Sequence, residues 1–353
     1  MKKFAFIVHP RTIDDFGRRV GKALRIGESL GIKITPKRLS EWFIGKLRGR
    51  LSFTVISHFQ VSPKVEGYLV GVMLTSHHML TLPRRLVQTK IINACLYAQN
   101  KLHVKYIGLG AYTAPMTLNG RLIAKDKRIH SYITHGDALS AASVIPAVKE
   151  ALLLKKSNIE SSIVAVVGAY GVVGRGVAIL LSELGPKSMI LIGPNINKLK
   201  AVKETISKNY LGNIYISNIN SDIRAADIVI LCTTANGSIV TSRMLKENCI
   251  VIDMAQPHNM SREVSMERPD VLRIDGGYMS TPGVDIKFDM GLPKYVSFAC
   301  FVETMLSAIL DVNRHDIGAV DTEYAKYLLA ESYKYGYTLA PLTNFSEPIK
   351  QDI

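Results

Sequence analysis

A glycine-rich turn between an apolar strand and an apolar helix constrains this chain more than any other feature of its sequence. The apolar run Ile163–Val167 continues directly into GAYGVVG, residues 168–174. Glycines at this spacing permit a tight turn and keep side chains away from a ligand that approaches the backbone. The helix predicted over Val172–Leu184 directs its first N–H groups and the positive end of its dipole to the same place. The segment is therefore typical of a turn that binds the pyrophosphate of a dinucleotide. The residues predicted to contact that pyrophosphate are Gly168, Tyr170, Gly171, Val172, Val173 and Gly174.

Strands and helices alternate through the whole middle of the chain. After the strand Ile163–Gly168, five further strands are predicted, separated by helices: Ser188–Gly193, Asn213–Ser217, Ile228–Thr233, Cys249–Met254 and Val271–Asp275. Buried parallel strands connected by helices form an open, doubly wound sheet. The predicted fold class is therefore α/β, with a central Rossmann-type doubly wound parallel sheet, an N-terminal α/β domain and a short helical C-terminal region.

A chain of 353 residues is expected to form more than one domain. We place an N-terminal α/β domain at residues 1–157, the Rossmann domain at 158–292 and the helical region at 293–353. A single helix is predicted over Asp137–Leu154 at the end of the first domain. Two more, Phe298–Val312 and Thr322–Tyr335, are predicted in the last region, followed by a loose tail.

The end of the second Rossmann strand indicates which nicotinamide cofactor is bound. An NAD-dependent enzyme usually has Asp or Glu there to bind the ribose hydroxyls. In this chain the strand ends in Gly193-Pro194-Asn195, and Lys198 follows without any carboxylate nearby. The absence of an acid and the presence of an ammonium group favour the 2′-phosphate of NADP, bound by Asn195 and Lys198. After the fourth strand, Thr233 and Thr234 are predicted to lie along the cofactor, on the side of its nicotinamide.

Charge is distributed unevenly along the chain. Residues 1–156 contain 26 Lys and Arg against 8 Asp and Glu, whereas the remainder contains 18 against 21. Such asymmetry points to an acidic partner, which from charge alone is nucleic acid, an anionic membrane surface or an acidic protein. An ordinary solvated surface explains the same charge. Basic pairs that could line one face are Arg18-Arg19, Lys37-Arg38, Arg48 with Arg50, and Arg84-Arg85.

The cysteines and the N-terminal sequence argue against a disulfide-rich or secreted protein. The four cysteines have no close spacing and no C-x-x-C pair, so neither a disulfide framework nor a metal site is predicted. The apolar run after Met1 stops at His9-Pro10, which is too short for a signal peptide and is interpreted as a first strand. We expect a cytoplasmic protein.

Cys300 differs from the other cysteines in its local sequence. Ser297 is a plausible N-cap for the helix Phe298–Val312, which would place Cys300 in the first turn. The positive end of the helix dipole there favours a thiolate nucleophile. Cys95, Cys232 and Cys249 lie in apolar segments and are interpreted as buried structural thiols.

The segment around Cys300, SFACFVE at residues 297–303, resembles the F-A-C-F-x-E stretch of the long-chain acyl-[acyl-carrier-protein] reductases, which form fatty aldehydes. Further similar stretches occur in the same order along nearly the whole chain: Val65-Glu66-Gly67, Asn93-Ala94, Ala98-Gln99, Leu109-Gly110, Thr134-His135-Gly136 and Ala330-Glu331. The family's turn usually reads G-A-T-G, where this chain has Tyr170 in place of Thr. The family also tends to have Arg after the second strand, where this chain has Gly193-Pro194-Asn195.

The resemblance implies a specific reaction. It implies NADPH-dependent reduction of a long-chain fatty acyl group, carried by acyl carrier protein or CoA, to the aldehyde. Cys300 would accept the acyl group as a thioester, and the N–H groups at the start of its helix would stabilise the oxyanion. It further implies an acyl carrier protein or acyl-CoA partner, no nucleic acid, and peripheral contact with a membrane for release of the aldehyde. The proton donor stays open between His135 and Tyr278.

Other functions remain open on the sequence. Glutamyl-tRNA reductases also combine a cysteine, NADPH and a thioester, but their T-C-N-R-x-E motif is absent, and Cys95 lies in the sequence NACL. Shikimate dehydrogenases share the Rossmann half, but their lysine–aspartate motif is not found. A non-catalytic NADP-binding regulator and a peripheral membrane protein that docks its basic half on lipid are the remaining alternatives.

Overall fold

The computed structural model describes residues 1–10, 49–235 and 237–349. The chain forms two compact units, and neither is continuous in sequence. The first unit contains residues 1–136, 283–290 and 303–318, and the second contains residues 137–282, 291–302 and 319–353. The three-part division at residues 157 and 292 stays a prediction about domains. Of the basic pairs, Arg18-Arg19, Lys37-Arg38 and Arg48 lie outside the described residues.

The first unit is built on a five-stranded sheet in the order β2-β3-β1-β4-β5, in which only β2 is antiparallel to its neighbour. The strands are β1 Lys2–Val8, β2 Phe53–Ser62, β3 Val65–Val72, β4 Tyr106–Leu109 and β5 Tyr132–Thr134. Its helices are α1 Ser76–Thr81, α2 Arg84–Leu102, α3 Thr113–Met116 and α4 Arg121–Ala124. Four consecutive residues of β1, from Phe4 to Ile7, are buried, as expected of a central strand covered on both faces. The opening strand predicted from the N-terminal sequence is therefore confirmed.

The second unit contains a six-stranded parallel sheet in the order β8-β7-β6-β9-β10-β11. Its strands are β6 Ile163–Val167, β7 Ser188–Ile192, β8 Asn213–Ser217, β9 Ile228–Leu231, β10 Ile250–Asp253 and β11 Leu272–Asp275. Counted from β6, this is the order 3-2-1-4-5-6 of a dinucleotide-binding Rossmann sheet. The predicted α/β fold class is confirmed. In such a sheet ligands bind where the strand order reverses, between β6 and β9.

Helices cover this sheet, and the helix predicted over Val172–Leu184 begins at the predicted residue. The helices are α5 Asp137–Ala142, α6 Val144–Leu154, α7 Val172–Ser182, α8 Ile196–Ile206 and α9 Arg262–Glu267, with 3-10 turns at Asn220–Ala225 and Ser242–Met244. The prediction of one helix over 137–154 was wrong, because the structure divides it at Ser143. Pro146 has no N–H to donate to the carbonyl of Ala142, and the helical hydrogen-bond pattern is therefore interrupted there.

The C-terminal part contains strands as well as helices. Strands β12 Tyr278–Ser280, β13 Val296–Phe298 and β14 Thr338–Leu339 form an antiparallel sheet, and β15 Thr343–Asn344 pairs with β16 Glu347–Pro348. Its helices are α10 Ala299–Leu310 and α11 Thr322–Lys334. The prediction of a purely helical region with a loose tail was thus wrong for residues 338–348, in which three short strands form. Among the described residues, no helix combines the length and the apolar character needed to cross a membrane.

Candidate active site

The glycine turn at the end of β6 has the geometry that its sequence predicts. Gly168 has a φ of +83°, and a Cβ there would lie 2.8 Å from the carbonyl oxygen of Cys232. A Cβ on Gly174 would lie 2.2 Å from the carbonyl oxygen of Gly168. Both contacts are with backbone, which cannot move aside without opening the turn. The close approach of helix α7 to strand β6 therefore requires glycine at both positions.

Helix α7 begins at Val172 and has Gly171 as its N-cap, so no side chain caps its first N–H groups. A Cβ on Gly171 would contact only backbone carbonyls, the nearer of which is Gly168 O at 3.2 Å. The turn is therefore a shallow cradle lined by backbone at a helix N-terminus, which is the arrangement that binds phosphate groups. The residues present fit the pyrophosphate of a dinucleotide.

Three of the predicted cofactor residues come together where β7 ends. The Lys198 ammonium nitrogen lies 5.4 Å from the centre of the Tyr170 ring, within the range of a cation–π contact. A Cβ on Gly193 would lie 2.7 Å from Cε1 of Tyr170, so the ring packs on the bare backbone at the strand end. Asn195 is the N-cap of α8, and its side-chain oxygen accepts a hydrogen bond of 3.0 Å from the Lys198 amide. The Tyr170 ring, the Lys198 ammonium and the N-terminus of α8 thus lie together at the end of β7, the position that in Rossmann domains contacts the adenosine ribose.

The loop after β9 lies against the glycine turn. A Cβ on Gly168 would lie 3.1 Å from the amide nitrogen of Thr233. The hydroxyl of Thr233 accepts a hydrogen bond of 3.0 Å from the amide of Ala235, while Thr234 is exposed. Both threonines therefore occupy the strand end beside β6 at which the strand order reverses, on the edge where ligands bind.

Three of the four cysteines have environments that oppose ionisation. Burial raises the pKa of Cys95 to about 12 and that of Cys249 to about 11. Burial also raises the pKa of Cys232, and the nearby Asp253 carboxylate raises it further. Thiols that stay protonated at neutral pH are poor nucleophiles, so these three suit the structural role predicted for them.

Cys300 is the second residue of helix α10 and is partly exposed. The predicted start of this helix was one residue too early, and Ser297 is not its N-cap. Ser297 belongs to β13, where it is buried and its hydroxyl lies 3.2 Å from the hydroxyl of Thr281. The alternation of strand β13 thus continues to Phe298 before the helix begins. Cys300 nevertheless lies in the first turn, as predicted.

A buried polar cluster at the carboxyl ends of β10 and β11 was not anticipated from the sequence. Arg273 lies 3.4 Å from Asp253 and 2.5 Å from Asp275, measured between guanidinium nitrogens and carboxylate oxygens. Burial raises the pKa of Asp253 despite the opposing charge of Arg273. Burial acts in the same direction on Asp275, but Arg273 and the Ser346 amide outweigh it and lower the pKa of that carboxyl. The only signal in the sequence was the charged residue at each strand end.

This cluster attaches the C-terminal strand pair to the Rossmann sheet. The Phe345 ring centre lies 3.8 Å from Cζ of Arg273, and the Thr343 hydroxyl donates a hydrogen bond of 2.8 Å to Asp275. His258 completes the cluster, with its ring nitrogens 3.8 Å from Asp253 and 3.7 Å from Asp275. Burial and the charge of Arg273 lower the pKa of His258. One arginine therefore contacts both carboxylates, and the histidine beside them is held neutral.

Of the two candidate proton donors, Tyr278 lies in the same unit as Cys300. Tyr278 pairs with Phe298 across strands β12 and β13, and α10 begins at the next residue. Gln256 donates a hydrogen bond of 3.2 Å to its hydroxyl. Burial and the Asp275 carboxylate raise the pKa of Tyr278 to about 12, so the phenol keeps its proton at neutral pH. His135 belongs to the other unit.

Comparison with known proteins gives similarities of three kinds. Residues 151–276 match the family model described as shikimate / quinate 5-dehydrogenase. A long-chain acyl-[acyl-carrier-protein] reductase of Synechococcus elongatus is 27% identical over 258 residues, which cover 69% of this chain and 71% of that protein. The aminotransferase PigE of a Serratia species is 22% identical over 252 residues, but those cover only 29% of its length.

Among solved structures, the ligand-free 5-ketofructose reductase of a Gluconobacter species is similar over 94% of this chain and 98% of that one, with 9% identity and a TM-score of 0.39. A likeness of that degree carries no argument about activity. The family match and the curated reductase, taken with the strand order and the glycine turn, support an NAD(P)-dependent oxidoreductase with a Rossmann domain of the shikimate dehydrogenase type.

Proposed function

We propose that this protein reduces a long-chain fatty acyl thioester, carried by acyl carrier protein or CoA, to the fatty aldehyde with NADPH. The observation that carries the proposal is the position of Cys300, partly exposed in the first turn of α10, within the F-A-C-F-x-E resemblance. The similarity to the Synechococcus reductase over 69% of the chain supports the same substrate class. The remaining cysteines are held as thiols by burial.

The first chemical step belongs to Cys300. Its thiolate attacks the carbonyl carbon of the acyl thioester, a new sulfur–carbon bond forms, and the carrier leaves as its thiol after taking up a proton. The positive end of the α10 dipole favours the negative charge on sulfur and then on the carbonyl oxygen. The product of this step is an acyl group bound to the enzyme as a thioester.

The second step regenerates the cysteine. Bound NADPH supplies the hydride that brings the acyl carbon to the aldehyde oxidation level. The sulfur–carbon bond then breaks, the aldehyde leaves, and Cys300 returns as the thiolate. We assign to Tyr278, whose raised pKa keeps its phenol protonated, the proton that neutralises the oxygen as the hydride arrives; Tyr278 takes this proton back when the sulfur–carbon bond breaks. The Gly168–Gly174 turn holds the pyrophosphate, and Asn195, Lys198, Tyr170, Thr233 and Thr234 line the remainder of the cofactor site.

The proposal is tested by incubating the protein with palmitoyl-acyl carrier protein and NADPH. We expect the oxidation of NADPH to match the formation of hexadecanal and of free carrier thiol, one for one. Oxidation of shikimate or quinate with NADP⁺, and no turnover of any acyl thioester, would contradict the proposal and favour the dehydrogenase alternative that the family match raises.

Cofactor selectivity gives a separate prediction. The Lys198 ammonium beside Tyr170 is expected to pair with the 2′-phosphate of NADPH, which NADH lacks. Since a hydrogen bond to a charged group contributes about 1.5–3 kcal/mol, Lys198→Ala should lower kcat/KM for NADPH roughly tenfold or more and leave that for NADH almost unchanged. Lys200→Ala, exposed on the same helix, is the matched control. A wild-type preference for NADH would show that the end of β7 was misinterpreted.

We also propose that the basic N-terminal part docks acyl carrier protein, a small acidic protein. Of its basic pairs, Arg84 and Arg85 are exposed in the first turn of α2. Reversing both to Glu should raise KM for palmitoyl-acyl carrier protein several-fold and leave kcat with a short acyl-CoA unchanged, because exposed charges act mainly on association. Reversing Lys187 and Lys208, exposed in the second unit, changes the net charge equally and should have little effect. Equal effects of the two double variants would indicate a general charge effect without a docking surface.

A further inference from the structure

A second buried cluster of ionisable side chains lies in the first unit, among residues that the sequence does not bring together. His135 follows β5, Glu303 lies in the second turn of α10, and Asp316 lies in the loop after that helix. Their exposed fractions are 1%, 0% and 3%. One ligand-type atom from each, an imidazole nitrogen and two carboxylate oxygens, lies within 4.8 Å of the others.

Backbone pairing holds these three residues in place. Asp316 forms a parallel bridge with Thr134 beside β5. Its amide donates a hydrogen bond of 2.8 Å to Ile133, and its carbonyl accepts one of 3.0 Å from the amide of His135. The Thr134 hydroxyl donates a hydrogen bond to the Glu303 carboxylate. The ligand atoms are thus positioned by the edge of a sheet and by a helix, which are rigid elements suited to a preorganised site.

The charges of the cluster do not balance by themselves. Two buried carboxylates carry two negative charges, and one imidazole can supply at most one positive charge. The cluster around His258 in the second unit also joins one histidine to two carboxylates, but there Arg273 contacts both acids. Buried carboxylates in proteins are paired with cations or coordinate metal ions. A divalent cation bound by a neutral imidazole and both carboxylates would make the first cluster neutral.

The Asp316 side chain gives a second, independent indication of a ligand. Its Oδ2 atom is fully buried and accepts no hydrogen bond from any residue that the structure describes. The atom lies 3.5 Å from Nδ1 of His135, a separation typical of two ligands of one small metal ion. Buried carboxylate oxygens in proteins are normally hydrogen-bonded or bound to metal.

We propose that His135, Glu303 and Asp316 bind one divalent first-row transition-metal ion, Zn²⁺ or Mn²⁺. Imidazole nitrogen suits Zn²⁺ and carboxylate oxygen suits Mn²⁺, whereas Mg²⁺ prefers oxygen ligands alone. Ligand atoms about 2.1 Å from an ion are at most about 4.2 Å apart, so side-chain movements of less than about an ångström complete the site. The ion would join β5, α10 and the following loop. This inference does not rest on the proposed reaction.

The test uses the full chain, freed of metal with a chelator, and needs no turnover. Co²⁺ serves as the probe, because its visible d–d absorption reports nitrogen and oxygen ligands, and Zn²⁺ and Mn²⁺ are then tested as competitors. We expect about one Co²⁺ per chain, displaced by Zn²⁺ or Mn²⁺ but not by equimolar Mg²⁺, and a rise in Tm of several degrees on binding. Asp316→Asn and, separately, Glu303→Gln keep the side-chain shape and should weaken Co²⁺ binding by at least tenfold.

His258→Gln is the matched control, since it alters the histidine of the other buried cluster, in which Arg273 contacts both acids. This variant should bind Co²⁺ as the wild type does. Absence of d–d absorption and of a Tm shift in the wild-type protein would overturn the proposal even if the variants failed to fold. Equal binding by folded Asp316→Asn and wild type would overturn it as well, because the ion would then be held elsewhere. Either result would leave acyl thioester reduction by Cys300 untouched.

Discussion

Replacing Cys300 by alanine or serine is expected to abolish aldehyde formation, with kcat lower by roughly 10⁴-fold or more, the scale seen when a covalent nucleophile is removed. Alanine has no atom that can accept the acyl group, and the serine hydroxyl is a far weaker nucleophile than a thiolate. Mass spectrometry of wild-type protein mixed with palmitoyl-acyl carrier protein, without NADPH, should show a palmitoyl adduct on Cys300. The variants should show none.

Cys232→Ala is the control, because it removes a thiol whose pKa burial raises. This variant should keep the adduct and the activity, with a loss of stability at most. Binding of NADPH to the Cys300 variants, measured by fluorescence, should match the wild type and so exclude misfolding. A Cys300→Ala protein that still forms hexadecanal at the wild-type rate would eliminate the acyl-enzyme mechanism.

Replacing Gly174 by alanine is expected to lower the affinity for NADPH at least a hundredfold. The added Cβ would lie 2.2 Å from the carbonyl oxygen of Gly168. Helix α7 would therefore have to move away from the glycine turn at residues 168–174. The N–H groups at its start would then lose their alignment with the pyrophosphate. Overpacking of this kind also costs about 1–3 kcal/mol of folding free energy. Isothermal titration with NADPH and urea unfolding measure the two effects.

Gly185→Ala separates the loss of binding from the loss of stability. Gly185 also belongs to the second unit and has a φ of +72°, but a Cβ there would meet no atom within 4 Å. Alanine should therefore cost about 1 kcal/mol of folding free energy and leave NADPH affinity unchanged. If both variants bound NADPH as the wild type does, the glycine turn would not be the pyrophosphate site.

The Rossmann sheet could be predicted from the sequence because its information is local. Strands β6, β7 and β9 are apolar runs covered on both faces. Helix α7 follows a turn in which close backbone contacts require glycine at Gly168 and Gly174. Right-handed crossovers between parallel strands then restrict the possible strand orders, and the structure shows which of them the chain adopts. Periodicity and turn chemistry suffice for such a domain.

The start of α10 was harder to predict, since a serine before an apolar helix usually caps it. The hydroxyl of Ser297 lies instead beside that of Thr281, a partner sixteen residues away that local sequence does not reveal. The clusters around Arg273 and Asp316 could not be predicted either, because their members are also distant in sequence. Asp253 with Asp275, and His135 with Glu303, meet only through the folded chain, and no spacing rule connects residues so far apart in sequence.

The two compact units interleave along the chain, and this limits how the protein can be rearranged. Residues 303–318 return to the first unit after the chain has completed the Rossmann sheet, and Asp316 pairs there beside β5. A fragment that ends at residue 157 would lack Asp316. Thr134 would then lose its bridge partner, and the backbone of β5 would be exposed at the edge of its sheet. The second unit therefore cannot be exchanged between related proteins as one continuous segment of sequence. Any chimaera has to preserve five separate passages of the chain between the two units, so the segments would be inherited together.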